Sequence, residues 1–153
     1  MIGYATSRDG VAWKRMSARP VLSPEKPWEK VAVMCPHVLW DEQLKLFRMW
    51  YSGGEQYEPD AIGYATSPDG LAWTQHEANP IIKPDPGIPW EQHKTAGVQI
   101  IRPCINKWDH DACYKPYAIF DGKKWLLWYN GRHGKVEQIG VATHEGEDLG
   151  FEK

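Results

Sequence analysis

The 153-residue chain reads as an all-β protein assembled from repeated four-stranded antiparallel units, and three observations predict this. A twelve-residue block, Ile2-Gly3-Tyr4-Ala5-Thr6-Ser7-Arg8-Asp9-Gly10-Val11-Ala12-Trp13, returns as Ile62-Gly63-Tyr64-Ala65-Thr66-Ser67-Pro68-Asp69-Gly70-Leu71-Ala72-Trp73, with a shorter copy at Ile139-Gly140-Val141-Ala142-Thr143. Recurrence at a fixed spacing marks repeat architectures, in which each copy is one supersecondary unit. Nine Trp and seven Tyr beside 14 Gly and 12 Pro suit short aromatic strands separated by turns. Asp9-Gly10, Asp69-Gly70 and Asp121-Gly122 each stand between strand-like segments, and Asp-Gly tolerates the positive φ of a tight hairpin.

The elements follow in order. Residues 1–16 supply only the third and fourth strands of a unit, a half blade. Residues 28–76 supply a full blade: strand A from Val33 to Trp40, a turn at Asp41-Glu42, strand B from Leu46 to Ser52, strand C from Ala61 to Ser67, an Asp-Gly turn, and strand D around Ala72-Trp73-Thr74. Four antiparallel strands in about 60 residues have the size and order of a β-propeller blade. The links between blades also repeat: Arg19-Pro20-Val21-Leu22 matches Asn79-Pro80-Ile81-Ile82, and Trp28-Glu29 matches Trp90-Glu91 and Trp108-Asp109. Between residues 88 and 114 the pattern breaks. Ala96-Gly97-Val98-Gln99-Ile100 reads as an opening strand, yet Ile100-Ile101-Arg102-Pro103 already repeats a blade ending, so this segment is a remnant of a truncated blade and a linker. Residues 115–153 are the last blade: strand A from Tyr114 to Phe120, B from Trp125 to Tyr129, C from Gln138 to Thr143, and a stub of D at Phe151. The expected fold is one partial β-propeller domain over residues 1–153.

Trp50-Tyr51-Ser52-Gly53-Gly54, the block at 62–70, Asn79-Pro80-Ile81-Ile82, Lys115-Pro116-Tyr117-Ala118-Ile119 and Trp128-Tyr129-Asn130-Gly131-Arg132 span nearly the whole chain. In these motifs it resembles the five-bladed β-propeller glycoside hydrolase superfamily, the arabinanase, levansucrase and invertase-like group, shortened to about two and a half blades. The resemblance implies a carbohydrate-related function, with an oligosaccharide as ligand. A ring of about five blades would need two copies, so a homodimer is the expected assembly.

Other classes fall away. Eighteen basic residues against 20 acidic ones give a net charge of −2 with no basic run, which argues against nucleic acid as a partner. No segment approaches the roughly 20 apolar residues of a membrane span, and no leader pattern opens the chain, so the expectation is a soluble, cytoplasmic protein with no membrane partner. Cys35, Cys104 and Cys113 lack CxxC spacing and read as buried reduced thiols. Without a Gly-rich phosphate loop, a nucleophile elbow or an HExxH helix, no cofactor is expected.

In a propeller the D-to-A and B-to-C connections share one face, and in the resembled enzymes the substrate pocket opens there. Glycoside cleavage uses two carboxyl groups across the scissile bond. On that face the carboxylate candidates are Glu55, Glu91, Asp111 and Glu137, with Tyr57, His93, Lys115 and Arg132 as substrate-binding candidates. Glu29, Glu91 and Asp109 follow Trp in the repeated links, which favours a turn-capping role, and Asp9 and Asp69 are turn formers. Asp109-His110-Asp111-Ala112-Cys113 contains metal-ligand types, but strand alternation points neighbours to opposite faces, so no metal site is expected. Two functions follow: a glycosidase assembled by dimerisation, or a catalytically inactive carbohydrate-binding or structural dimer derived from one by blade loss.

Overall fold

The computed structural model describes residues 1–84 and 109–150, together with the backbone of the two strands Lys94–Thr95 and Val98–Ile100. The strands in chain order are β1 (Ala5–Thr6), β2 (Lys14–Arg15), β3 (Ala32–Asp41), β4 (Leu46–Gly54), β5 (Pro59–Ser67), β6 (Thr74–Gln75), β7 (Lys94–Thr95), β8 (Val98–Ile100), β9 (Ala112–Phe120), β10 (Lys124–His133) and β11 (Val136–Glu145). They form a two-stranded sheet β1-β2, a four-stranded sheet β3-β4-β5-β6 and a five-stranded sheet β7-β8-β11-β10-β9. Every pairing between these strands is antiparallel. Among the described residues there is no α-helix, and so none that could cross a membrane.

Local chemistry explains the turns. Ser7 and Asp9 build a cage in which Asp9 Oδ1 accepts from the Val11 and Ala12 amides at 2.9 Å each and Ser7 Oγ accepts from the Gly10 amide at 2.9 Å. Ser67 and Asp69 reproduce it around Gly70, Leu71 and Ala72 at 2.8, 2.8 and 2.9 Å. Both aspartates are therefore turn formers. At the β3–β4 hairpin Asp41 Oδ1 accepts from the Gln43 and Leu44 amides, and its Oδ2 pairs with Arg48 Nε at 2.7 Å.

The two central strands of the four-stranded sheet, β4 and β5, are buried on both faces. Alternate residues point to opposite sides. Val33, Met49, Tyr51 and Ala65 pack with Ile2 and Leu22 of the half blade, whereas Trp50, Ile62 and Tyr64 pack against Cys113, Ala118, Leu127 and Tyr129 of the last blade. Two glycines of the full blade have a steric role. A Cβ on Gly53 would stand 2.4 Å from the Trp28 ring, and one on Gly63 would stand 2.7 Å from both Trp28 and Tyr51. The indole of the link is thus seated on a glycine bed in the following blade.

The five-stranded sheet departs from the sequence reading. Val98–Ile100 does not open a blade of its own. It lies antiparallel against the outer side of β11, Ile100 opposite Ala142 and Gln99 opposite Thr143, with β7 beyond it. An outermost strand without a neighbour exposes a row of unpaired amides and carbonyls. In the full blade β6 follows β5 and covers that edge; here an upstream strand does so. Phe151, read as the stub of strand D, lies outside the described residues.

Candidate functional site

Two matching irregularities shape the face where β3 and β9 begin. The register of β3 on β4 shifts between Met34 and His37, and that of β9 on β10 shifts between Tyr114 and Tyr117. Within each bulge one residue takes a left-handed conformation directly before a proline: Cys35 at φ 50 before Pro36, and Lys115 at φ 53 before Pro116. A bulge kinks the strand and re-aims the side chain it carries. Cys35 is therefore exposed, not buried as the sequence suggested, while Cys113 is buried and its thiol is pushed well above the ordinary range by desolvation. Cys104 lies outside the described residues.

Between the full and the last blade this face opens into a cleft of about 240 Å³. Tyr57, Lys115, Arg132 and Glu137 line it, and so do Cys35, Glu58 and Tyr114, none of them singled out from the sequence as a leading candidate. Arg132 is its electrostatic centre. Its Nη1 pairs with Glu58 at 3.1 Å, bridging the β4–β5 loop of one blade to the last blade, and its Nε is buried without a hydrogen-bond partner. The Tyr114 hydroxyl donates to Glu137; with Asn130, Lys115 and Arg132 adding smaller effects, this holds the Glu137 carboxyl below the usual carboxylate range. The same contact, after burial, pushes Tyr114 up to about 12. Lys115 Nζ lies 5.1 Å over the Tyr114 ring, and the Lys115 amide donates to Ser52 Oγ at 2.8 Å, which ties the bulge to the neighbouring blade.

The remaining candidates lie elsewhere. Glu55 is exposed on the β4–β5 loop and does not line the cleft. Glu91 and His93 lie outside the described residues. Asp111 stands just before β9, where its carboxylate accepts from the Gly134 amide at 2.6 Å and meets His110 Nδ1 at 2.7 Å. His110, ahead of the Gly134 amide, lowers the Asp111 pKa.

The Trp-linked carboxylates have structural duties. Glu29 is fully buried, accepting from Tyr51 Oη at 2.8 Å and from the Glu25 and Lys26 amides at 2.7 and 2.9 Å. Asp109 accepts from Tyr129 Oη at 2.9 Å, the same pairing one repeat later. That link could have been found in the sequence, because Trp-Glu/Asp and Trp-Tyr recur together.

A larger groove of about 610 Å³ lies at the β3–β4 hairpin end, around Trp40, Leu44, Arg48 and Trp125. Most of its charged groups are already paired: Asp41 with Arg48, Glu42 with Lys45 and Trp40, Asp148 with His144. It contains none of the sequence-derived candidates, four of which line the cleft on the bulged face.

No known protein-family profile matches the chain. It is 27% identical over 150 residues to the uncharacterized protein Rv1502 of Mycobacterium tuberculosis, covering 94% of this chain and 42% of that protein. Among solved structures it is similar to a glycoside hydrolase at TM-score 0.65 and 19% identity, covering 95% of this chain and 36% of that one. It is similar to BT0996 in its RGII complex at TM-score 0.64 and 20% identity, covering 97% and 36%. It is also similar to Zg3597, a family 117 glycoside hydrolase of the marine bacterium Zobellia galactanivorans, at TM-score 0.60 and 18% identity, covering 97% and 41%. The chain spans less than half the length of each of these proteins.

Proposed function

With the fold of a shortened propeller-type glycoside hydrolase as premise, we propose that this chain binds a carbohydrate in the cleft between its full and last blades. The observation that carries the reading is convergence. Tyr57, Lys115, Arg132 and Glu137 come from separate segments, and two bulged inner strands open the space they share. An ionised carboxylate accepts from sugar hydroxyls, Arg and Lys donate to them, and the exposed Tyr57 ring offers an apolar face. The volume is below the roughly 300–1,000 Å³ of sites for drug-sized ligands, so it suits one sugar residue or the end of a longer chain.

Binding is favoured over turnover by how the carboxyls of the cleft are engaged. Hydrolysis needs two of them facing a scissile bond, whereas Glu58 is held in an ion pair with Arg132 and the Tyr114 hydroxyl donates to Glu137. A hydrolytic reading would assign it the base or nucleophile role, opposite the Glu58 carboxyl across Arg132. Calorimetric titration with pentoses, hexoses and their oligosaccharides tests the proposal. Saturable binding lost in Arg132→Ala and Glu137→Ala is expected, with no glycoside hydrolysis. Hydrolysis that disappears in Glu137→Gln would establish the enzyme instead, and absence of binding to every sugar would overturn both readings. In the same reading a second copy supplies the further blades, because Val38, Trp40 and Tyr117 leave apolar surface exposed along the inner strands. Light scattering that gives a monomer at all concentrations would remove the dimer.

A further inference from the structure

We propose that His110, Asp111 and His133 form a binding site for one divalent transition-metal ion of the zinc class, on the same face as the cleft but outside its lining. The three donors come from two segments that are far apart in the chain, 110–111 before β9 and 133 at the end of β10. Two hydrogen bonds join those segments: the Asp111 amide donates to the Arg132 carbonyl at 2.9 Å, and the Gly134 amide donates to the Asp111 side chain, at Oδ2, at 2.6 Å. The second bond fixes the carboxylate and leaves Oδ1 turned toward the imidazoles. The turn itself is well defined, since the two-residue loop after His133 begins with Gly134 at φ 59, a conformation that glycine adopts without steric cost.

His110 Nδ1 lies 2.7 Å from Asp111 Oδ1, and His133 Nδ1 lies 4.0 Å from the same oxygen. One ligand atom from each of the three residues falls within 4.8 Å of the others. A distance of 4.0 Å is too long for a hydrogen bond, so His133 faces the carboxylate across a gap. The two rings meet edge to face with centroids 5.3 Å apart. Donors bound at about 2.1 Å to a tetrahedral ion stand about 3.4 Å from one another, so closing on an ion asks for a shift of about an ångström in side chains that are 28, 37 and 54% exposed.

The donor set selects the ion. Two imidazoles and one carboxylate suit Zn²⁺, Ni²⁺, Cu²⁺ or Fe²⁺, whereas Ca²⁺ and Mg²⁺ require a shell made mostly of oxygen. Three protein donors leave a fourth position for water. The Gly134 amide on Oδ2 supplies the outer hydrogen bond that orients a ligating carboxylate. Neighbouring acidic groups are otherwise engaged: Asp109 accepts from Tyr129, and Glu58 pairs with Arg132. A bound ion would staple the entry to β9 onto the β10–β11 turn, next to Arg132.

Calorimetric titration of the chelator-stripped chain with ZnCl₂ tests this. One ion per chain is expected, with affinity weakened ~tenfold or more in His110→Ala and in His133→Ala, and unchanged in His144→Ala, whose imidazole pairs with Asp148. Zinc should also raise the melting temperature of the parent but not of the His110→Ala/His133→Ala double variant. Asp111→Asn keeps an oxygen for the Gly134 amide and serves as the check should a His variant alter the far-UV circular dichroism spectrum; it too should bind ~tenfold more weakly. Absence of saturable binding up to ~1 mM zinc, or one-site binding that survives in both the double variant and Asp111→Asn, overturns the proposal.

Discussion

The full blade and the last blade share a plan and differ in how it is sealed. In each, a carboxylate from the Trp-linked segment accepts from the tyrosine of the second strand, Glu29 from Tyr51 and Asp109 from Tyr129. In each, the inner strand bulges before a proline. The full blade, however, is enclosed between two neighbours and supplies its own outer strand, while the last blade has its outer position filled by a strand from upstream. The same repeat thus yields a buried lock in one place and a half-buried one in the other. Burial, more than sequence identity, sets what each copy contributes.

That comparison can be broken by substitution. The largest effect is expected for Glu29→Ala, which takes the acceptor from the buried Tyr51 hydroxyl and from two part-buried backbone amides; a loss of about 3–5 kcal/mol should appear in urea unfolding. Gly63→Ala forces a methyl group against Trp28 and Tyr51, and about 1–3 kcal/mol is expected from overpacking. Asp109→Ala removes the acceptor of the Tyr129 hydroxyl at a more accessible place and should cost about 1 kcal/mol. An equal loss for Glu29→Ala and Asp109→Ala would show that burial does not distinguish the two blades.

The smallest effect concerns pH. Amides of Ala12 and Val11, with the Ser7 hydroxyl, hold Asp9 at about 2, below its ordinary 3.8. Asp69 is lowered by the equivalent amides of Ala72 and Leu71. A depressed folded-state pKa contributes stability that is present above the unfolded value and lost as pH falls through the folded one. The melting temperature should therefore decline from about pH 4 toward pH 2, and Asp9→Asn and Asp69→Asn should each flatten the decline. An unchanged slope in both variants would remove the turn cages as its source.

Much of the fold was legible because its signals are local or periodic. Asp-Gly with a preceding serine encodes its own cage, and alternating aromatic residues encode strands whichever blade they enter. The site was legible only in part. Tyr57, Lys115, Arg132 and Glu137 were reachable because strand order alone sorts loops by face. Strand order places Glu58 on the same face but ranks it no higher than its loop neighbours, and Tyr114 carried no signal, since their roles come from Arg132 and Glu137 across the blade boundary.

By itself the sequence determined the repeat, the turns, the strand order within the full blade and the capping carboxylates, all of which depend on neighbours within a few residues or on the repeat period. Only the tertiary structure decided that β8 closes the edge of β11, that a left-handed Cys35 turns outward, and that His133 comes to rest beside Asp111. The first and last of these are contacts between segments whose separation no periodicity records, and the second is a bulge within one strand. They are set by which backbone edges need partners and which side chains fit between blades, and those demands exist only once the sheets have packed.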